Sequence, residues 1–135
     1  MLISAKIFKD EKFWLAECET FCVMTQGKSR SDALYMLSDA VLSLYPDFKF
    51  QYGWISEKEG QAFIEPENIS EALGIMIERN RNNNGLTLSE LAKIVGSKNH
   101  NSVYAYEKAT REASFSKVEE LMQALGKKLV ITLSD

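Results

Sequence analysis

Between Leu86 and Glu107, in the stretch LTLSELAKIVGSKNHNSVYAYE, the chain places Lys98, Asn99, His100, Asn101 and Ser102 in an unbroken run, with Tyr104 close behind. These side chains suit the reading of a polyanion. Amides bond adenine at two points, hydroxyls and imidazoles contact bases or phosphates, and a lysine neutralises a phosphate without reading sequence. Nucleophilic catalysis is a poor fit, because His100 is the only histidine and any Ser-His-Asp arrangement would have to run through this same polar face.

Side chains of this kind work only when rigid elements present them. Thr87 and Glu90 have the spacing of a capping box, and Leu88, Leu91, Ala92 and Val95 then recur at i, i+3, i+4 and i+7 on one apolar face. Gly96 supplies a left-handed stop just past that face. The second helix has Val103 and Tyr106 as its apolar contacts, with Tyr104 on their border. Two short helices around a tight turn, with the polar residues gathered at the start of the second, read as a helix-turn-helix whose second helix enters a major groove. Thr87 and Ser89, at the start of the first helix, complete the candidate DNA contacts. The plainer alternative is one hairpin of a small helical bundle with a polar outer face.

From Leu73 to Leu133 the chain resembles the lambda-repressor-like (XRE) helix-turn-helix family. The resemblance rests on Leu73-Gly74, Ile77, Arg81, the run GLTLSELA from Gly85 to Ala92, and Glu107 at the family's glutamate position. Three departures stand out: one extra residue between Gly96 and Glu107, Ala109 where the family usually has glycine, and Ala113 where it usually has proline. The resemblance implies DNA binding. For Arg81 two roles stay open, contact with a phosphate, as for Arg79, or a structural pair with Glu107.

At 135 residues, 45% hydrophobic and 26% charged, the chain has the composition of an ordinary globular protein and the length of one average domain or two small ones. No apolar run is long enough to span a membrane, and Lys6 and Lys9 break up the start as a signal peptide would not, so a cytoplasmic protein is expected. Cys18 and Cys22 with one histidine cannot make a four-ligand zinc site, and two thiols are expected rather than a disulfide. Neither metal nor cofactor is expected. Charge is uneven: residues 1–67 carry net −4 and residues 68–135 net +1, together the −3 of the chain. An acidic half suits a basic partner.

Alternation predicts strands over Leu2–Phe8 and Phe13–Glu19 joined by a turn at Asp10-Glu11-Lys12, and a third over Cys22–Thr25. The second should put Phe13, Leu15, Glu17 and Glu19 on one side and Trp14, Ala16 and Cys18 on the other. Ser29, with Asp32 in the third position, should cap a helix that buries Ala33, Leu37, Ala40, Val41 and Leu44 against the sheet. The segment Phe13 to Val41, with its Cys22-x-x-Thr25-Gln26-Gly27 run and the following Ala33 and Ala40 helix, resembles the N-terminal half of HicB antitoxins. Here Glu19-Thr20-Phe21 replaces the family's proline-containing loop. The resemblance implies a partial ribonuclease-H-like β-β-β-α-β unit that binds and occludes a HicA-like mRNA-cleaving toxin, with candidate contacts at Phe13, Trp14, Glu17, Glu19, Phe21 and Thr25.

Further on, Phe48–Ile55 reads as a strand with Phe48, Phe50, Tyr52 and Trp54 on one side, expected as core, followed by a turn over Ser56–Gly60 and a strand over Gln61–Glu65. Pro66-Glu67-Asn68 reads as a boundary between a 1–67 toxin-neutralising domain and a 68–135 DNA-binding domain. Ser70 should cap a helix with Leu73, Met76 and Ile77 inward, and Ser114 a helix with Val118, Leu121, Met122 and Leu125 inward, closed by Gly126. Lys127–Leu133 has a strand's composition but no local partner, so pairing with a second copy in a dimer is expected. Glu17 and Glu19 lack the further carboxylates that metal-dependent phosphodiester hydrolysis needs, so no enzyme is expected. The fold class is therefore α+β, a small antiparallel sheet with a packed helix followed by an all-α domain and a C-terminal strand. The function that follows is an antitoxin that represses its own operon through double-stranded operator DNA. The alternative is a regulator whose N-terminal domain senses a ligand or only oligomerises.

Overall fold

Strict alternation in the first residues builds a hairpin with a two-residue turn. In the computed structural model, which describes Met1–Asp135, β1 (Ile3–Asp10) pairs with β2 (Phe13–Cys18) in antiparallel register from Lys6 opposite Glu17 to Asp10 opposite Phe13. Glu11, in the turn, takes a φ of 53°. Next come β3 (Val23–Gly27), α1 (Arg30–Leu44), β4 (Phe50–Ser56) and β5 (Gln61–Pro66), and the strands form one antiparallel sheet in the order β3-β2-β1-β5-β4. The chain divides into two units, Met1–Ile69 and Ser70–Asp135.

Period-two patterning puts Ile3, Ala5 and Ile7 of β1, Ala16 and Cys18 of β2, and Ala62 and Ile64 of β5 on one face of the sheet, all buried. α1 covers that face over β3 and β2 and reaches β1, turning Ala33, Leu34, Leu37 and Val41 inward. Each fully buried aliphatic side chain of this size contributes about 1.5–3 kcal/mol. The helix starts where expected: Ser29 accepts from the Asp32 amide at 3.0 Å, and Asp32 accepts from the Lys28 amide at 2.8 Å. It lies so close to β3 that a Cβ on Gly27 would collide with the Ala33 backbone. Leu44, expected inside, is the last helical residue and is 46% exposed.

The aromatic strand departs from expectation. β4 begins at Phe50, and Phe48 precedes it as a core ring packed edge-on against Phe21 at 5.9 Å and stacked on Phe50 at 5.2 Å. Tyr52 is exposed and Phe50 and Trp54 are half-buried, so only Phe48 of the four rings is core. The reason is position: β4 is the edge strand farthest from β3, where α1 sits, so its rings project past the helix.

The second unit is helical: α2 (Ile69–Asn83), α3 (Leu88–Ile94), α4 (Asn101–Glu107) and α5 (Phe115–Ala124). α2 begins one residue before Ser70, which therefore lies inside the first turn and is not its cap. The helix also runs past Arg81, burying Ala72, Ile75, Met76, Ile77 and Asn80, with the Asn80 amide donating to the Met76 carbonyl at 2.8 Å. α5 is capped by Ser114, which accepts from the Lys117 amide, and it ends at Gly126, φ 76°. Residues 127–135 form no helix or strand within the chain, and Val130, Ile131 and Leu133 are exposed. A strand has no ladder without a partner, and none of this sheet's strands pairs with that segment. No helix is long and apolar enough to cross a membrane.

The two cysteines form no disulfide. Cys18 is buried in the sheet, and burial pushes its thiol from an ordinary 9.0 up to about 11, against the weaker opposing pull of backbone bonds from Phe21 and Thr20. The thiolate is the reactive form, so at pH 8.5 Cys18 should resist a thiol reagent in the native protein and react only on unfolding, while half-buried Cys22 modifies first. Counting modified thiols by mass before and after adding denaturant checks this; two equally fast native thiols would contradict it.

Candidate nucleic-acid interface

The interface is built on α3 and α4. At the start of α3 the Glu90 amide donates to Thr87 Oγ1 and the Thr87 amide to Glu90 Oε1, both at 3.1 Å, so the capping box closes in both directions. At its end Gly96 takes a φ of 73° while the Ser97 amide reaches back to the Ala92 carbonyl at 2.8 Å, the paired closure of a helix by a left-handed residue. Leu91 and Ala92 are fully buried, and Leu88 and Val95 half-buried, against the rest of the unit.

The turn is held by its own polar side chains. The Ser97 and Ser102 hydroxyls stand 3.0 Å apart and both reach the Asn99 carbonyl, at 3.1 and 3.0 Å. Asn99 Oδ1 accepts from the Asn101 amide at 2.9 Å, which starts α4 in place of a cap from His100. Asn99 and Ser102 therefore shape the turn, an assignment that residue type alone does not distinguish from reading. Lys98, His100, Asn101 and Tyr104 are left exposed on the outer face of the turn and helix. The Lys108 ammonium lies 5.8 Å from the Tyr104 ring and also bonds Glu78 of α2 at 3.4 Å. Ser89 and Thr87 are exposed at the head of α3, and Thr87 keeps its own O–H free to donate while its oxygen caps the helix.

Three constraints seat α4 on the unit. Val103 and Tyr106 bury its inner face. At Gly74 the backbone of α2 meets the Tyr106 and Glu107 carbonyls, with no room for a Cβ. Arg81 grips Glu107 in a two-point ion pair, Nε to Oε2 at 2.7 Å and Nη2 to Oε1 at 3.0 Å, while its Nη1 donates to the Leu86 carbonyl at 2.8 Å. With Glu107 only 2% exposed and Arg81 12%, the open question about Arg81 resolves toward structure. Ala109, at the family's glycine position, has a φ of 56°, because the Thr110 amide closes α4 onto the Ala105 carbonyl and the residue between must turn left-handed.

Tertiary folding brings two cations that were absent from the residues singled out beforehand. Arg111, its guanidinium 5.5 Å from the Tyr106 ring, and Lys117 of α5, bonded to Glu120 at 3.0 Å, line a cleft of about 280 Å³ with Ser97 and Ser102 of the turn. Their only sequence signal is basic character beside the Ser114 cap.

The six candidate partner contacts of the N-terminal unit do not share one surface. Phe13 and Glu17 lie on the sheet face that α1 leaves uncovered. Trp14 and Thr25 lie on the helix side, where the Arg30 guanidinium stacks 4.6 Å over the Trp14 ring. Glu19 sits in the β2–β3 turn bonded to Lys6 at 3.4 Å, and Phe21, 1% exposed, is held inside the core and offers a partner no surface. No three His, Cys, Asp or Glu side chains gather to hold a metal ion.

Residues 77–131 match the family model described as Helix-turn-helix (HTH_3), and no curated protein matches the chain. The match covers most of the helical unit, which is therefore similar to helix-turn-helix domains of the DNA-binding, regulatory type.

Glu107→Ala would leave the Arg81 guanidinium buried without its carboxylate, at a cost of about 3–5 kcal/mol. Ala109→Gly should instead stabilise by about 1 kcal/mol, since a left-handed Cβ costs about 1–2 and glycine's entropy returns part of that. Urea unfolding of both variants checks the two signs together; an Ala109→Gly protein less stable than the parent would contradict the geometry.

Proposed function

We propose, from the premise that residues 77–131 are a helix-turn-helix, that the chain is an antitoxin and transcriptional autorepressor of the cytoplasm. The C-terminal unit binds its operator as a dimer. The N-terminal unit neutralises a HicA-like mRNA-cleaving toxin by covering it. The observation that carries the DNA half is the seating of α4: the Arg81–Glu107 pair and the turn bonds fix the helix so that Lys98, His100, Asn101 and Tyr104 project outward together. Rigid presentation of this kind lets a few side chains read bases in a groove. Lys98, Arg111 and Lys117 then meet phosphates, and Thr87 and Ser89 add hydroxyl contacts at the backbone. For the other half, support comes from the resemblance of Phe13–Val41 to HicB antitoxins, the net charge of −4 over residues 1–67, and a sheet of β-β-β-α-β-β order. The exposed Val130, Ile131 and Leu133 pair with the same segment of a second copy, which supplies the ladder that one chain lacks.

Asn101→Ala should cost about 1–3 kcal/mol of operator affinity if its amide bonds a base at two points. Lys98→Ala should weaken every operator variant alike and reduce the salt slope by about one, the signature of a phosphate contact. Both residues lie on an outer surface, so rescue of growth from the co-expressed toxin should survive both changes. Titration with operator at several salt concentrations, beside the rescue assay, tests the division of labour. Normal operator binding by Asn101→Ala, or loss of rescue by a folded variant, would overturn it.

A further inference from the structure

An antiparallel sheet with one face in water normally alternates apolar inward and polar outward. The face of this sheet opposite α1 breaks that rule. Register puts Phe8 beside Leu15 and Asp10 beside Phe13 on β1 and β2, Glu17 beside Met24 on β2 and β3, and Ser4 beside Phe63 on β1 and β5. No helix of the N-terminal unit covers this face, because its one full helix, α1, packs on the other side. Phe8 is 40%, Phe13 46% and Met24 54% exposed. A connected apolar stripe of this kind marks an interaction surface.

Charge narrows the occupant. This face carries Lys6 and, against it, three carboxylates, with Glu17 directly across from Lys6, Asp10 opposite Phe13 and Glu65 opposite Gln51; Glu19 stands at the rim, and Lys6 is already bonded to it at 3.4 Å. Glu17, half-buried between Lys6 and Met24 across the strands, makes no ion pair of its own. The surface is thus apolar at its centre and net acidic. Nucleic acid would be repelled by it, and a second copy would bring the same acidic sign against it. We infer that the face of the sheet opposite α1 is the docking surface for a basic partner protein, with Phe8, Phe13, Leu15 and Met24 as its apolar floor and Glu17 taking an arginine or lysine from the partner. The inference rests on reading the N-terminal unit as toxin-neutralising, and it names the surface: the bare sheet, not the α1 side that carries Trp14 and Thr25.

The test uses the full chain and, as probe, the HicA-like toxin that the proposed function requires, purified separately and titrated by calorimetry. Met24→Arg and Glu17→Arg should each weaken binding by about thirtyfold or more, since each sets a cation against a basic partner. Glu17→Gln should weaken it less and flatten its salt dependence. Tyr35→Ser, on the outer side of α1, should leave it within about twofold. Resistance of buried Cys18 to a thiol reagent in every variant reports that the sheet is folded, and the Met24 methyl resonance of the unaltered protein gives a reading free of substitution: it should shift on adding the probe while buried Met122 does not. If the unaltered chain binds but Met24→Arg and Glu17→Arg bind equally well, or the Met24 methyl does not move, the surface is wrong and the antitoxin reading stands. If the unaltered chain does not bind the probe, both fall.

Discussion

The buried pair of Arg81 and Glu107 is the constraint on which the DNA-binding unit turns. It joins α2 to the end of α4, and the third guanidinium nitrogen ties the loop before α3, so one side chain sets the relation of three helices. A buried ion pair adds little net stability over a well-packed apolar pair, because desolvation offsets most of the attraction. Its value lies in geometry: two parallel bonds admit one orientation, whereas apolar contacts tolerate sliding. The close approach at Gly74 works in the same direction by letting the backbones of α2 and α4 meet. Together they hold a seven-residue helix, too short to be stable alone, in a defined pose.

The polar turn completes that arrangement from the other end. Ser97, Asn99 and Ser102 spend their hydrogen-bonding capacity on each other and on the first amides of α4. Lys98, His100 and Asn101 alternate with them in sequence but face outward. A single polar run therefore shapes the loop with one set of side chains and leaves the other set exposed for the proposed reading of DNA.

The N-terminal unit is governed by a different constraint, that one helix cannot cover five strands. α1 lies over the β3 and β2 end, so burial is deepest there and thins toward β4, where Tyr52 emerges into solvent. No helix of this unit covers the opposite face, which still carries large apolar side chains. Such a face costs solubility while it stays bare, and the proposed partner would relieve that cost.

Local chemistry was legible in the sequence wherever a motif closes within a few residues. The capping box of Thr87 and Glu90, the Ser29 and Ser114 caps, the left-handed Gly96 and Gly126, and the alternation of β1 and β2 depend on neighbours along the chain, so residue type and spacing determined them. Where a choice depended on what lies across space, the sequence left it open or misled. Arg81 was equally a phosphate contact or a partner of Glu107 until α2 and α4 were placed side by side. Phe21 reads as a partner contact and Tyr52 as core, yet Phe21 is buried and Tyr52 is exposed, because the footprint of α1 decides and no pattern in either segment encodes that footprint. Ser70 resembles a cap by type but lies inside a helix that starts one residue earlier. Periodicity says which side of an element is apolar; only tertiary structure decides which apolar side is covered, since burial belongs to the pair of surfaces that meet and not to either alone.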